Sequence, residues 1–328
     1  MLRYTTVVIC LYNAENFIEE TLVSLSNQTL KDFKLLVIDD CSSDKSLLNV
    51  KEFLKANPFM ESEIIEFSEN KGTAFIRNYA LHKVTTPLML FFDADDIAKP
   101  NLLEKLYNKI NSNESYIAVS CYSNYIDSNS NKIKGGQYIG PKNEKSFLEK
   151  AMQGKLIFML PPTLFKREYA IKAGGYRVKG FGNEKIRYQD LSEDLDLWSR
   201  MSDFYVDNKI MITVPEVLFY YRKNTNTLSA SKDSLFAMQD KIRYIKFNLK
   251  RRRAGLLDVD FTEFISTLTV KEKKRNYYKD TSAYYYRKAG FLFVNKSYLR
   301  FVYYMVCSML YNPSYIVDKI KSNFLKND

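Results

Sequence analysis

The chain is poor in the side chains that most often build metal centres and nucleophile triads. Its 328 residues include one histidine, His82, one tryptophan and four cysteines. A lone imidazole cannot supply a multi-histidine metal cluster, and it leaves little for a Ser-His-Asp triad. His82 falls in a helical stretch before a strand and reads as structural. Cys10, Cys41, Cys121 and Cys307 are far apart, and no pair has CxxC spacing, so neither a zinc ribbon nor a thioredoxin-like site is indicated. Cys10 and Cys41 lie in or beside apolar runs and read as buried free thiols, which suits a reducing compartment. Long apolar runs are also missing. A membrane-spanning helix needs ~20 mainly apolar residues. The nearest stretch, Phe291 to Val317, is interrupted by Asn295, Lys296, Arg300, Asn312 and Pro313. The apolar run Val7 to Leu11 is too short and too β-branched for a signal core. The expectation is a cytoplasmic protein, at most peripheral at the inner face of the cell membrane.

Composition is otherwise that of a globular protein, with 46% hydrophobic and 27% charged residues. The length suits about two domains. Aromatics reach 15%, and the net charge is +11. That charge is unevenly placed. Residues 231–328 hold 20 Lys or Arg against 9 Asp or Glu, whereas residues 1–230 hold 29 of each. The excess points to an anionic partner for the last third of the chain.

Short apolar runs alternate with helical patterns over the first 110 residues. Val7–Leu11, Leu35–Ile38, Glu63–Phe67 and Leu88–Phe92 read as strands. Phe17, Ile18, Leu22 and Leu25 mark one helix face, a helical stretch runs to about Lys55, and Thr73 to His82 is helical. Pro100 opens a helix that carries Leu102, Leu103, Leu106, Tyr107 and Ile110 on one face. Such alternation predicts a parallel, doubly wound α/β sheet, in which ligands bind outside the carboxyl ends of the strands. Three polar clusters lie at those ends: Tyr12-Asn13, Asp39-Asp40 and Asp93-Ala94-Asp95-Asp96. Any one of them alone reads as a turn or a helix cap. Three in consecutive units indicate a shared crevice. Crowded carboxylates at a strand end repel one another unless a cation sits among them. Mg²⁺ and Mn²⁺ accept hard oxygen ligands and often share them with phosphates, so the acidic cluster predicts a metal-bound diphosphate.

Residues 113–230 are less regular, with turns at Gly135-Gly136, Pro161-Pro162 and Gly174-Gly175. Ser192 is placed to cap a helix that begins Glu193-Asp194-Leu195. The remainder is helical in pattern, with hairpins over 281–325 broken near Asn295 and Asn312-Pro313.

An ordered set of segments resembles family 2 glycosyltransferases of the bacterial surface-polysaccharide type. They are Val7 to Asn13, Ser24 to Thr29, Val37 to Asp44, Asn70-Lys71-Gly72-Thr73 with Arg77-Asn78, Phe91 to Asp96, and Ser192 to Trp198. The resemblance covers about residues 4–230. It implies a GT-A fold, a Rossmann-like nucleotide-binding domain with a mainly parallel central sheet over 1–230, followed by a basic, aromatic-rich helical extension over 231–328. It also implies a nucleotide-sugar donor, with UDP as the expected nucleotide, Mn²⁺ or Mg²⁺, and hexosyl or N-acetylhexosaminyl transfer to a glycan or lipid-linked acceptor. On that footing Leu11, Tyr12, Asn13 and Glu15 line the nucleotide pocket, and Asp40 bonds the base. Asp93 and Ala94 hold the ribose or donor sugar, Asp95 and Asp96 hold the metal, and Arg77 contacts the donor. Asp194 is the catalytic base, with Glu193 beside it in the acceptor site.

The chain departs from the family pattern in two places. Cys10-Leu11 replaces the usual Pro or Thr beside the first strand end. Tyr221-Arg222-Lys223-Asn224 carries Asn where a histidine is common, so Arg222 or Lys223 would supply cation toward the diphosphate. Inverting transfer needs a stabilised leaving group and a carboxylate that takes the acceptor proton. The first turn of a helix suits that carboxylate. Two other readings stay open. A sugar nucleotidyltransferase would need a Gly-rich basic phosphate loop, which Tyr12-Asn13-Ala14-Glu15 is not. A non-catalytic glycan or nucleotide-sugar binding protein would not need Asp93, Asp95 and Asp194 together.

Thirteen Tyr or Phe fall between Tyr277 and Tyr315. They read either as helix-packing core or as an interfacial surface. The run Arg251-Arg252-Arg253 suits anionic lipid or a phosphate-bearing acceptor. No nucleic-acid recognition fold is visible.

Overall fold

A computed structural model describes residues 4–58, 61–182, 186–223, 231–294 and 296–324. The chain divides into two compact units. The first takes Met1–Gly180, Gln189–Thr225 and Ile245–Asp258, and the second takes Phe181–Tyr188, Asn226–Tyr244 and Val259–Asp328.

The first unit opens as the periodicity predicts. β1 (Thr5–Leu11), α1 (Ile18–Ser26), β2 (Phe33–Asp39), α2 (Ser46–Ala56), β3 (Ser62–Glu66), α3 (Thr73–Lys83) and β4 (Leu88–Phe91) alternate along the chain. The strands pair in parallel in the order β3-β2-β1-β4. In register, Ile9 lies beside Val37 and Val8 beside Phe91. β1, β2 and β4 are buried along almost their whole length, because helices cover a parallel sheet on both faces. α1 buries Ile18, Leu22 and Leu25 and leaves Glu19 and Glu20 outside. His82 is exposed in the last turn of α3.

After β4 the sheet is mixed. β5 (Ile97–Ala98), α4 (Leu102–Asn111), β6 (Tyr116–Ile126), β7 (Lys132–Gln137), α5 (Glu144–Met152), β8 (Leu164–Lys166), α6 (Arg167–Lys172), α7 (Glu193–Met201) and β9 (Ile210–Arg222) follow in sequence. β8 runs antiparallel between β4 and β6, and β6 and β9 are parallel to each other. β5 pairs antiparallel with β9, so Ile97 lies opposite Tyr220 and the acidic turn before β5 is drawn to the end of β9. Pro100 stands ahead of α4, whose Leu102, Leu103, Leu106 and Ile110 are buried as expected. Ser192 does occupy the residue before α7, but it does not cap it. Its backbone is left-handed at φ 52°, and its side chain makes no capping hydrogen bond.

The basic run at 251–253 ends α8 (Lys232–Arg253). Arg252 donates to Asp203, Asp258 and the Ser199 carbonyl, and Arg253 pairs with Asp203. Arg251 Nε donates to the Leu257 carbonyl. The expectation that this run faces lipid or phosphate is therefore corrected: these guanidiniums are engaged with protein oxygens inside the first unit.

The second unit is helical. It contains the start of α8, α9 (Phe261–Thr267), α10 (Val270–Val294), α11 (Tyr298–Tyr311) and α12 (Pro313–Phe324). Asp260 caps α9 by accepting the Glu263 N–H at 2.7 Å. Phe181, Tyr244, Phe261 and Phe264 form an aromatic cluster, and the Tyr244 hydroxyl donates to the Val259 carbonyl. α10 and α11 run antiparallel, joined by Ser282 with Ser308, Tyr285 with Tyr304 and Phe293 with Phe301.

Candidate active site

Arg77, on α3, is the hub of the site. Its side chain is buried, and it stands between the carboxyl end of β4 and the start of α7. Nη2 donates to Asp93 at 3.1 Å. Nη1 lies 3.1 Å from Glu193 and contacts Asp194. The guanidinium also lies over the Phe91 ring, 5.3 Å from its centroid. On the other side of Asp194, the Tyr176 hydroxyl donates at 3.2 Å. Four of the expected site residues, Arg77, Asp93, Glu193 and Asp194, are thus brought together.

The charges in this cluster do not balance: one buried guanidinium faces three partly buried carboxyl groups. Burial opposes the Arg77 charge, yet Asp194, Glu193 and Asp93 hold its pKa well above the usual value. Burial, only partly offset by Arg77, pushes Glu193 up to about 8 and Asp93 upward. A Glu193 that carries a proton at neutral pH relieves one of the surplus charges. Cys10 joins the cluster. Burial pushes its thiol up to about 12, against the pull of the neighbouring Arg77 charge. Cys10 is a free thiol, but it sits at the site rather than in a remote core.

The loops after β1 and β2 are stitched together. Ser42 Oγ accepts from the Asn13 N–H at 3.1 Å, and Asn13 Oδ1 accepts from the Ser43 N–H at 2.8 Å. Glu15 Oε2 accepts from the Lys45 N–H at 3.0 Å. Asn13 has φ 46°, a left-handed conformation that Asn tolerates, and Tyr12 is half exposed beside it. The Leu11 side chain is in the core, so only its backbone can serve a ligand, and its carbonyl already accepts the Asp40 N–H. The Asp40 carboxylate accepts the Lys71 and Gly72 amides at 2.6 and 2.9 Å. It orders the turn into α3. Gly72 has φ 90°, and a Cβ there would collide with the Asp190 carboxylate. Asp190 in turn accepts the Ala74 N–H at 2.8 Å at the start of α3.

The acidic turn after β4 is held from outside. Thr21 Oγ1 donates to the carbonyls of Ala94 and Asp96. Burial and then Asp93 push the Asp95 carboxyl up to about 6, against the pull of the Arg222 charge. A divalent ion would relieve the repulsion between Asp93 and Asp95, and a carboxylate oxygen suits it. Asp96 fits less well: it is 2% exposed, and its Oδ1 accepts the Arg222 N–H at 2.8 Å. Among the described residues no three His, Cys, Asp or Glu are grouped to hold an ion. An ion here would need oxygens from a ligand.

Arg222 requires a correction. It is 1% exposed, and its guanidinium donates to the Asp95 and Asp127 carbonyls, Ser130 Oγ and Glu20 Oε2. It also lies over the Phe17 ring. Arg222 braces the acidic turn and is not turned toward a diphosphate. Lys223 rests 4.0 Å above the Tyr125 ring. Asn224 lies outside the described residues. Within α7, Asp196 pairs with Arg200 and supports the helix. Tyr176, Asp190 and the bracing pair Glu20 and Ser130 were missed in the sequence. All four lie in turns or on helix surfaces where no periodicity marks them.

A sheet with cross-linked loops after β1 and β2, an acidic turn after β4 and a carboxylate-bearing helix describes a fold of the GT-A kind. Residues 6–174 match the family model for glycosyl transferase family 2, and the chain belongs to that family. Glu193 and Asp194 lie beyond the matched span. An uncharacterized glycosyltransferase of Haemophilus influenzae is 29% identical over 227 residues, covering 69% of this chain and 67% of that protein. The glycosyltransferase GlyA of Streptococcus pneumoniae is 29% identical over 233 residues, 70% of this chain but only 31% of GlyA. The O-antigen biosynthesis glycosyltransferase WbnJ of Escherichia coli is 26% identical over 202 residues, 61% of this chain and 72% of that protein. Among solved structures, S. aureus TarS 1-349 in complex with UDP-GlcNAc superposes with TM-score 0.53 at 16% identity, over 97% of this chain and 92% of that chain. The mannosyltransferase PcManGT of Pyrobaculum calidifontis, in complex with GDP-Man and Mn2+, gives 0.56 at 16% identity, over 97% and 87%. These likenesses establish the GT-A fold.

Proposed function

We propose that the protein is an inverting glycosyltransferase that moves a hexosyl or N-acetylhexosaminyl group from a nucleotide donor to a hydroxyl of a surface-glycan acceptor, free or lipid-linked. The catalytic part is assigned to residues 1–230, with 245–258 belonging to the same compact unit, and the appended helical part to the rest of 231–328. The observation that carries the reading is the convergence of Asp93, Glu193 and Asp194 on Arg77 beside the acidic turn. Asp194 is assigned as the base. Arg77 and Tyr176 fix its orientation, and a carboxylate has lone pairs left for the incoming hydroxyl. Loss of that proton to Asp194 accompanies attack on the anomeric carbon, and one displacement inverts it. Tyr12, Asn13, Glu15 and Asp40 are assigned to the nucleotide, and Asp93 with Arg77 to the ribose or sugar. Asp95 would hold Mn²⁺ or Mg²⁺ together with donor phosphates, and the ion would stabilise the charge of the leaving diphosphate.

UDP is the favoured nucleotide, supported by the UDP-GlcNAc complex of a protein with the same fold; GDP is the alternative, supported by the GDP-Man complex. A panel of UDP- and GDP-sugars tested by thermal shift and by nucleotide release, with and without Mn²⁺, checks the reading. One donor should stabilise the protein and be slowly hydrolysed. Stabilisation with no release under any condition would favour a binding protein instead.

A further inference from the structure

The outward face of α11 is largely open to solvent among the described residues. Phe301, Tyr304 and Ser308 turn inward onto α10, through Phe293, Tyr285 and Ser282. The opposite face carries Leu299, Val302, Tyr303, Val306, Met309 and Leu310. Leu299 is 91% exposed and Leu310 is 79% exposed. These six recur at helical spacing, so they form one continuous apolar stripe. A helix that is apolar on every side is normally covered on every side. Scattered exposed apolar residues need no explanation, but a contiguous stripe does.

The surrounding charge selects the cover. From Thr281 to Val317 the chain carries four Lys or Arg (Arg287, Lys288, Lys296 and Arg300) and no Asp or Glu. Arg287, Lys296 and Arg300 are exposed. Lys288 lies 4.6 Å from the Tyr304 ring centroid. A second copy of this face would bring like charges together. A surface that is apolar below and negative above accommodates both features. Tyr298, Tyr303 and Tyr311 suit the boundary between them, where an aromatic ring can be buried while its hydroxyl stays wet. The helix has 14 residues, about 21 Å at the usual helical rise, which is short of the ~30 Å hydrocarbon core. No described helix is long and apolar enough to cross a membrane. The orientation left for α11 is in the plane of the interface.

We propose that α11 is an in-plane membrane anchor, which inserts the Leu299–Leu310 stripe among the acyl chains of an anionic leaflet while the flanking cations meet its headgroups. The full chain should sediment with vesicles containing phosphatidylglycerol at least tenfold more tightly than with phosphatidylcholine vesicles. High salt should weaken that binding without abolishing it, because the apolar contact is not screened. The double variant Val306→Glu/Leu310→Glu alters only exposed positions. It should keep its far-UV circular dichroism and thermal midpoint and lose vesicle binding at least tenfold. Leu310→Trp provides a direct probe, since the one native tryptophan, Trp198, is buried. Its emission should shift to the blue on adding anionic vesicles and be quenched by brominated acyl chains. Three results would overturn the proposal: equal binding by wild type and double variant, no quenching of Leu310→Trp by acyl bromine, or a stable dimer that the double variant dissociates while vesicle binding is absent.

Discussion

Arg77 of α3 and Asp194 of α7 meet side chain to side chain, and this contact joins the amino-terminal α/β units to a helix outside the family-model match. The same guanidinium takes Asp93 and Glu193. Removing it leaves the Asp93, Glu193 and Asp194 carboxyl groups without the cation they share. Arg77→Met should destabilise the protein by about 3–5 kcal/mol, the usual cost of stranding a buried charge. Arg77→Lys keeps a charge but not the fork, so it should lose less stability while donor binding still weakens. Urea unfolding of the three proteins checks the order wild type, Lys, Met.

Glu193 gives the cluster a pH dependence whose sign is fixed. Its folded pKa of about 8 lies above the unfolded value near 4.5, so the fold favours the protonated form. The associated stability is full below the unfolded pKa and is lost as pH rises through about 8. Glu193→Gln mimics the protonated side chain and should not show that loss. The variant should therefore gain on wild type between pH 5 and 8, by at most about 1.4 kcal/mol per pH unit, and the gap should level off above that. Thermal midpoints of both proteins across that range provide the check; a gap that narrows with rising pH would contradict the assignment.

Much of this was legible in the sequence, and the reason differs by residue. The strands around Ile9, Val37 and Leu90 are covered on both faces, so their apolar runs announced them. The acidic turn was visible because three carboxylates end a strand. The role of Arg77 as hub was not visible: a charged residue inside a helical pattern looks like a solvated face until α7 packs against it. The fate of Arg222 and of Arg252-Arg253 was hidden for the same reason, since their acceptors lie far along the chain. The apolar stripe of α11 was ambiguous, because periodicity records which residues share a face and not whether that face is covered.

The bracing role of Arg222 separates from a donor-contact role by measurement. Its guanidinium satisfies two carbonyls, a hydroxyl and a carboxylate at once, which a single ammonium cannot do. Arg222→Lys should lower stability by roughly 2–4 kcal/mol, with loss of donor affinity following from disorder of the acidic turn. Unfolding and donor titration on the same sample distinguish the cases. Unchanged stability with a large loss of donor affinity would place Arg222 at the diphosphate after all.

Asp194→Asn tests the chemistry most directly. The amide keeps the shape of the carboxylate and can still accept the Tyr176 hydroxyl. It cannot take a proton from an acceptor, and it gives up the ion pair with Arg77. Removing a general base costs ~10²–10⁴-fold in rate. Donor affinity should change far less than turnover, because the nucleotide contacts are assigned to Tyr12, Asn13 and Asp40 on other loops and Arg77 keeps Asp93 and Glu193 as partners. Acceptor-dependent nucleotide release should therefore fall by at least 10²-fold, while the thermal shift produced by donor and Mn²⁺ persists. Glu193→Gln serves as the internal control, since burial favours the protonated form of Glu193: its turnover should stay within about tenfold of wild type. Equal turnover by Asp194→Asn and wild type would move the base elsewhere, and among the carboxylates around Arg77 that leaves Asp93 as the next residue to test.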